Sequence, residues 1–337
     1  MRDKIHVLYI RNNLSDDYSP YMAASMLSVI DNCSISVIFH IIYDDRISVR
    51  SKDQTLVNMK KLQDLLIRPD DTICYHVFHL PDNMNNIFSY SRLYIPELLP
   101  DVDMVVLLGG DTIVKTDLGK LIACIPKNYS ISGGLEPGIA GRVPSKRSIH
   151  KFYEKTGMDT DKYICPDLCI YNLEKIRENK TLPDKALRFF KEHPDVPLYE
   201  QDILNWVFMG DKYILPQRFY LPLGLSEEEV KKILAEQEID GKPHGYILHF
   251  AGAIKPWDQY HSKYDREFWH YFFQTPWGKE EELIKFLQQK RTLDNIILNM
   301  NNTLWGHPLK RKLWALWQLS FPLYYKLFLR YIKSKGH

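Results

Sequence analysis

The first 110 residues alternate between short apolar, β-branched runs and longer stretches with helical periodicity, and this order restricts the fold more than any other feature. The apolar runs are IHVLYI (5–10), SISVIFHIIYD (34–44), TICYHVFHL (72–80) and MVVLL (104–108). Between them lie SPYMAASMLSVI (19–30), with Pro20 suited to a first helical turn, DQTLVNMKKLQDLLI (53–67) and a helical segment near 90–98. A β-α-β-α-β-α-β order predicts an α/β fold with a mostly parallel sheet and helices on both faces. Beyond residue 112 the pattern loosens. DLCIYNL (167–173) and GYILHFA (245–251) read as strands; EQDILNWVFM (200–209), SEEEVKKILAEQ (226–237) and KEEELIKFLQQK (279–290) read as helices.

Three aspartates flank the run at 104–108. Asp101 and Asp103 precede it, and Asp111 follows it after two glycines. Ligands of open α/β sheets gather beyond the carboxyl ends of the strands. Asp111 is therefore expected at the functional end, and the more conspicuous Asp101-x-Asp103 triplet is expected in a turn at the other end.

Composition narrows the function classes only a little. The 337 residues are 45% hydrophobic and 26% charged, which suffices for a sizeable core. A net charge of +2 is too small to point to nucleic acid, and no apolar run approaches the roughly 18 residues that would span a bilayer. The opening MRDKIHVLYI runs directly into a strand without a signal-peptide pattern. Five cysteines, an odd number with no C-x-x-C pair, fit a reduced, cytoplasmic protein. The absence of G-x-G-x-x-G after the first strand argues against a dinucleotide-dependent oxidoreductase.

Four separated segments carry a more specific signal: VVLLGGDTIVKTDL, CPDLCIYNLEKIRE, LYEQDILN and LHFAGAIKPW. In order and spacing the set resembles the family 8 glycosyltransferases, retaining galactosyl- and glucosyltransferases of the bacterial lipopolysaccharide type. HFAGAIKPW follows that family's His-x-x-Gly-x-x-Lys-Pro-Trp without a gap, and SYSRLYIPELLP resembles the segment that places an arginine, here Arg92, near the donor. The resemblance implies a GT-A type, single Rossmann-like catalytic domain over 1–275, followed by a helical, basic-aromatic region over 276–337. It implies a UDP-sugar donor and Mn²⁺ or Mg²⁺, with Asp111 and His249 as metal ligands. Lys255 would meet a phosphate, Gly252 would allow close backbone approach, and Trp257 would pack that loop. Asp16, Asp17 and Tyr18, with Asn12 and Asn13 as rivals on the same segment, complete the expected donor site with Arg92, Gly109 and Gly110. Gln201 and Glu200 are expected with Asp111 in the catalytic group, and Glu136 and Asp167 beside the sugar.

Two departures from that pattern matter. Gly109 stands where the family has the first carboxylate of an Asp-x-Asp, so water would complete the metal's coordination. Cys165-Pro166-Asp167 stands where the family often has Asn-Ala-Gly. These departures leave an alternative, a catalytically degenerate nucleotide-sugar-binding or scaffold protein of the same fold. The tail from 304 interleaves eight aromatics with basic residues, and Leu323, Leu327 and Tyr331 recur at helical spacing. It reads as an amphipathic basic helix for an anionic membrane surface, which would place the enzyme peripherally on the cytoplasmic face of the inner membrane beside a glycan or glycolipid acceptor.

Overall fold

The computed structural model describes residues 4–11, 18–46, 49–66, 68–81, 88–136, 147–180, 182–223, 245–252, 255–258 and 264–278, with a few isolated positions between. The expected alternation is present as β1 (Lys4–Arg11), α1 (Ser19–Asn32), β2 (Ser36–Asp44), α2 (Val49–Gln63), β3 (Thr72–Phe78) and β4 (Met104–Leu108). The segment before β4 is mainly a 3-10 helix, Phe88–Tyr94, continued by the short α3 (Ile95–Leu98) with Pro96 in its first turn. Then come β5 (Thr112–Val114), α4 (Leu118–Ala123), β6 (Ile131–Leu135), α5 (Arg147–Thr156), β7 (Ile164–Asn172), α6 (Leu173–Asn179), α7 (Asp184–Glu192) and α8 (Tyr199–Val207). β8 (Lys212–Ile214), β9 (Tyr220–Pro222), β10 (Ile247–His249) and α9 (Asp265–Phe272) follow.

Among the described residues these strands form a seven-stranded sheet, ordered β3-β2-β1-β4-β7-β6-β8, and a three-stranded sheet, β5-β10-β9. β1 to β4 are parallel neighbours. β7 runs antiparallel to both β4 and β6, and β8 is parallel to β6, so in the large sheet β7 alone opposes the rest. Side chains alternate across a strand. Ile5, Val7 and Tyr9 accordingly join Met22, Met26 and Val29 of α1 on one face, while Leu8 joins Phe88, Leu93, Ile203 and Leu204 on the other. Met104, Val106 and Leu108 divide from Val105 and Leu107 in the same way. Each such side chain, fully buried, contributes about 1.5–3 kcal/mol of transfer free energy. The mostly parallel sheet with a layer on each face is thus the predicted architecture.

The chain divides into one unit of Met1–Pro256 with His261–Glu280 and another of Trp257–Tyr260 with Glu281–His337. The helix expected at 279–290 and the basic-aromatic tail lie outside the described residues, as does most of the helix expected at 226–237. Among the described residues no helix is long and apolar enough to cross a membrane.

Candidate active site

A cavity of about 450 Å³ opens at the carboxyl end of β4. Tyr18, Ser89, Arg92, Gly109, Gly110, Asp111, Pro166, Asp167, Tyr199, Glu200, Gln201 and Lys255 are among the residues that line it. The backbone explains why residues distant in sequence meet there. β5 starts directly after Asp111 and pairs with β10, so that Thr112 lies opposite His249. The Asp111 carbonyl accepts the Phe250 N–H at 3.0 Å, which locks the two strand ends together. From the other side, Leu108 lies opposite Leu168, and the Gly109 N–H donates to the Asp167 carbonyl at 2.9 Å.

Asp167 enters through an irregularity in β7. Gly133 pairs with Cys169 but Leu135 pairs with Ile164, so β7 carries extra residues between those points. The excess segment holds Pro166 and Asp167, and bulges of this kind re-aim side chains. As a result Asp111, Asp167 and His249 each offer a ligand atom within 4.8 Å of the others. His249 Nε2 is 3.6 Å from Asp111 Oδ2 and 3.7 Å from Asp167 Oδ2. The Tyr220 hydroxyl is 2.6 Å from His249 Nδ1. If Nδ1 carries the proton and donates to that oxygen, Nε2 presents its lone pair toward the Asp111 and Asp167 carboxylates.

Charge is concentrated around this trio. The Lys255 ammonium donates to Asp111 Oδ2 at 2.6 Å and to the Phe250 carbonyl at 2.7 Å. Burial would raise the Asp111 pKa, but His249 and Lys255 more than offset it and hold the carboxyl far below its ordinary range. Burial likewise pulls His249 down, and Asp111 with Cys165 overcomes it and lifts the imidazole well above its usual value. Arg92 bonds Glu200 through one guanidinium nitrogen and Asp167 Oδ1 through another, the latter at 2.6 Å. The two carboxylates more than compensate for its burial and raise its pKa. Ser89 completes this network by donating to Glu200 Oε2 at 2.6 Å.

The lining is also set sterically. A Cβ at Gly110 would come within 2.5 Å of Tyr18 Cε1, so this glycine makes room for the tyrosine ring. Burial, followed by the nearby charges of Asp111 and Asp167, drives the Tyr18 hydroxyl pKa well up. Glu200 and Gln201 sit in the first turn of α8. That turn is anchored by buried Asp202, which accepts from Tyr153, Tyr163 and the Leu198 N–H. Asn205 ties the same helix to the start of β7 by bonding both the N–H and the carbonyl of Ile164. Tyr199, at the head of α8, holds a left-handed φ of 51° and is half exposed at the cavity edge. Non-glycine residues with this backbone are uncommon and concentrate at functional sites.

Several expectations are thereby adjusted. Asp167, expected beside a sugar, stands with Asp111 and His249, each offering a ligand atom within 4.8 Å of the others. Glu136 follows β6 near Tyr220 and Cys165 and is not among the lining residues, and neither is Gly252, Trp257 or His249, which stands behind Asp111 and Asp167. Gly252 has φ of 98°, and a Cβ there would meet nothing within 4 Å, so backbone geometry rather than crowding accounts for this glycine. Trp257 is buried and belongs to the second unit. Asp16 and Asp17 lie outside the described residues. At the opposite end of β4, Asp103 pairs with Arg177 at 3.8 Å, away from the cavity as anticipated. Sequence reasoning missed Ser89, Tyr199 and Tyr220. Ser89 and Arg92 stand three apart on one short helix, a spacing that places them on one side; Tyr220 carried no signal.

Comparison with known proteins fits this geometry. The chain is 23% identical over 276 residues to probable galacturonosyltransferase 6 of Arabidopsis thaliana, covering 72% of this chain and 44% of that one. It therefore spans less than half the length of that plant relative. It is 22% identical over 255 residues to a putative glycosyltransferase of Haemophilus influenzae, covering 71% and 70%. Among solved structures, the bifunctional glycosyltransferase WbbM superposes with a TM-score of 0.65 at 20% identity, over 87% of this chain and 52% of that one. The galactosyltransferase LgtC, solved with donor and acceptor sugar analogues, gives 0.61 at 19% identity, over 85% and 100%. These likenesses establish a GT-A fold. The glycosyl transferase family 8 pattern matches residues 10–261, and with most of the chain so covered it belongs to that family.

Proposed function

We propose that this enzyme moves a hexosyl unit, glucose or galactose, from a UDP-sugar to a glycan acceptor with retention of anomeric configuration. In this reading the acceptor is a growing bacterial surface polysaccharide or lipopolysaccharide. The observation that carries it is the meeting of Asp111, Asp167 and His249, with Lys255 bonded to Asp111, beside the cavity at the carboxyl end of β4 that Asp111, Asp167 and Lys255 line. Two carboxylates and an imidazole suit Mn²⁺ or Mg²⁺, with Asp111 and His249 as holding residues. A bound divalent cation supplies Lewis-acid stabilisation of the departing diphosphate.

The protein's own groups account for the remaining chemistry. Lys255 offers a point charge to a phosphate oxygen. Tyr18 walls the donor site beside Gly110, and the family resemblance assigns Asp16 and Asp17 to the same donor. Arg92, fixed between Glu200 and Asp167, orients the donor. Glu200 already accepts from Arg92 and Ser89, which lowers its nucleophilicity. Gln201 is an amide and a poor nucleophile; its role is to steady positive charge developing at the anomeric carbon. Attack from the face that the diphosphate leaves, with a leaving phosphate oxygen taking the acceptor proton, needs no enzymic nucleophile.

Hydrolysis of UDP-glucose, UDP-galactose and UDP-galacturonate, with and without Mn²⁺, tests this reading; the third donor is included because of the plant relatives' names. Expected is Mn²⁺-stimulated turnover of one hexose donor, with NMR showing the donor's anomeric configuration kept in the product. UDP binding without turnover of any donor would support the degenerate binding protein instead, and an inverted product would remove the retaining mechanism.

A further inference from the structure

A side chain at residue 109 would crowd the one at residue 167. The two residues are the next facing pair after Leu108 and Leu168 on antiparallel β4 and β7, joined by the Gly109 N–H bond to the Asp167 carbonyl. A Cβ at position 109 would lie 3.0 Å from Asp167 Cβ and 2.6 Å from Asp111 Oδ1. Facing Cβ atoms in a sheet are ordinarily about 4.5–5.5 Å apart. The Asp167 neighbour is part of the backbone-fixed stem, not the loose end of a flexible chain, so it cannot yield cheaply.

The space left by Gly109 has a definite use. Asp167 reaches across it with its two oxygens in different roles. Oδ1 is held by Arg92 at 2.6 Å, and Oδ2 points to the His249 side at 3.7 Å from Nε2. The carboxylate is therefore oriented by one partner while its second oxygen faces Asp111 and His249.

We propose that Asp167 is the third protein ligand of the divalent cation and that Gly109 is glycine in order to admit it. The ligand set then comes from three strand ends: Asp111 after β4, Asp167 within β7 and His249 at the end of β10. Positions 109 and 167 form a linked pair in which one bears the carboxylate and the other must be bare. Arg92 links this set to Glu200, so the cation's ligands and the first turn of α8 share one fixed guanidinium. The inference rests on the cation-dependent reading of the site.

Mn²⁺ binding to the full-length protein, followed by calorimetry and by the spin-resonance signal of free Mn²⁺, tests it with and without UDP. Asp167→Asn keeps the shape and the Arg92 contact while removing the charge. It should weaken Mn²⁺ binding by at least about 10–100-fold, the range typical for losing even an orienting partner of a ligand. Gly109→Asp alone should weaken binding through crowding. Gly109→Asp combined with Asp167→Gly returns a carboxylate from the facing strand and should recover most of the affinity. Thermal unfolding of each variant separates lost binding from lost fold; if Gly109→Asp does not fold, Asp167→Asn and the double exchange still decide. Wild-type protein that binds Mn²⁺ while Asp167→Asn binds it equally well overturns this inference alone, as does tighter binding by Gly109→Asp. Wild-type protein that binds UDP but no divalent cation overturns both this inference and the cation-dependent reading.

Discussion

The two ends of the large sheet carry the same kinds of charged pair in opposite settings. At the amino end of β4, the Asp103 side chain is 68% exposed and lies 3.8 Å from Arg177. Nearby, before β8, Asp211 accepts from Lys175 and Ser130, again with both ionic partners partly in solvent. At the carboxyl end the Asp111, Glu200 and Arg92 side chains are only 9%, 8% and 12% exposed. Charges in solvent are screened and tie helices to strands for little net energy. Charges out of solvent interact strongly, but each must be matched or the structure loses several kcal/mol. The far end is stitching, whereas the cavity end is a balance in which every group depends on its neighbours.

The largest expected difference between the ends is in turnover. Asp111→Asn should lower donor hydrolysis by about 10³-fold, near 4 kcal/mol of transition-state stabilisation, while Asp103→Asn leaves it within about twofold. Comparable losses from both substitutions, measured as kcat/KM on the same donor, would erase the distinction between the ends. Next in size is a stability effect. Arg92→Leu leaves Glu200 buried without its cation and should cost about 3 kcal/mol in urea unfolding, with Ser89 unable to compensate. A variant as stable as the parent would mean that the cavity end is no more tightly balanced than the far end.

Between the two ends runs a row of histidines that makes the comparison pH-dependent. His6 Nδ1 lies 2.9 Å from His40 Nε2, and His40 Nδ1 lies 3.0 Å from His76 Nε2. Burial, with the charges that His6 and His76 would carry, pulls the His40 pKa down to about 3. A histidine with a folded pKa below its unfolded value takes up a proton on unfolding. Its contribution is therefore intact above about pH 6.5 and is lost as pH falls from there toward 3, by up to about 1.4 kcal/mol per pH unit. His40→Gln should flatten this acid limb in denaturant titrations between pH 6 and 4; an unchanged slope would assign the limb to other groups. The smallest effect is expected at the far end. Lys175→Ala should cost no more than about 1 kcal/mol, less in 1 M salt, because its partner Asp211 remains hydrated and bonded to Ser130.

What could be read from the linear chain follows the same divide. β1, β2 and β4 declared themselves because strands buried on both faces appear as apolar runs, β3, at the sheet edge and part-exposed, through its β-branched and aromatic residues, and the helices between them through a 3.6-residue period. The assignment of Asp111 to the cavity end and of Asp103 to the other end needed only the position of β4. β5, β8 and β9 have three residues each, too few for any period to register. β7 was expected to begin at 167, yet it begins at Ile164, because Pro166 and Asp167 resemble a loop when written in a line. Its antiparallel direction is a property of pairing, not of local pattern. The nearness of Asp167 to Asp111 depends on that direction and on the β7 irregularity. Tyr220 reaches His249 only through the parallel pairing of β9 with β10. The segment HFAGAIKPW, by contrast, announced itself as a contiguous motif.

The pairing of β10 with β5 also has a kinetic meaning. Asp111 and His249 belong to segments far apart along the chain, and the strand between their contacts is only three residues long on each side. Closing so large a loop for so short a ladder is entropically costly until the surrounding core exists to reward it. The parallel β1–β2–β3 segment, with its local crossovers, is expected to gain protection from hydrogen exchange early during refolding, and Leu248 and His249 late. A chain assembled in that order brings Asp111 and His249 together as the last act of folding, so one released unfinished carries a sheet without that cluster.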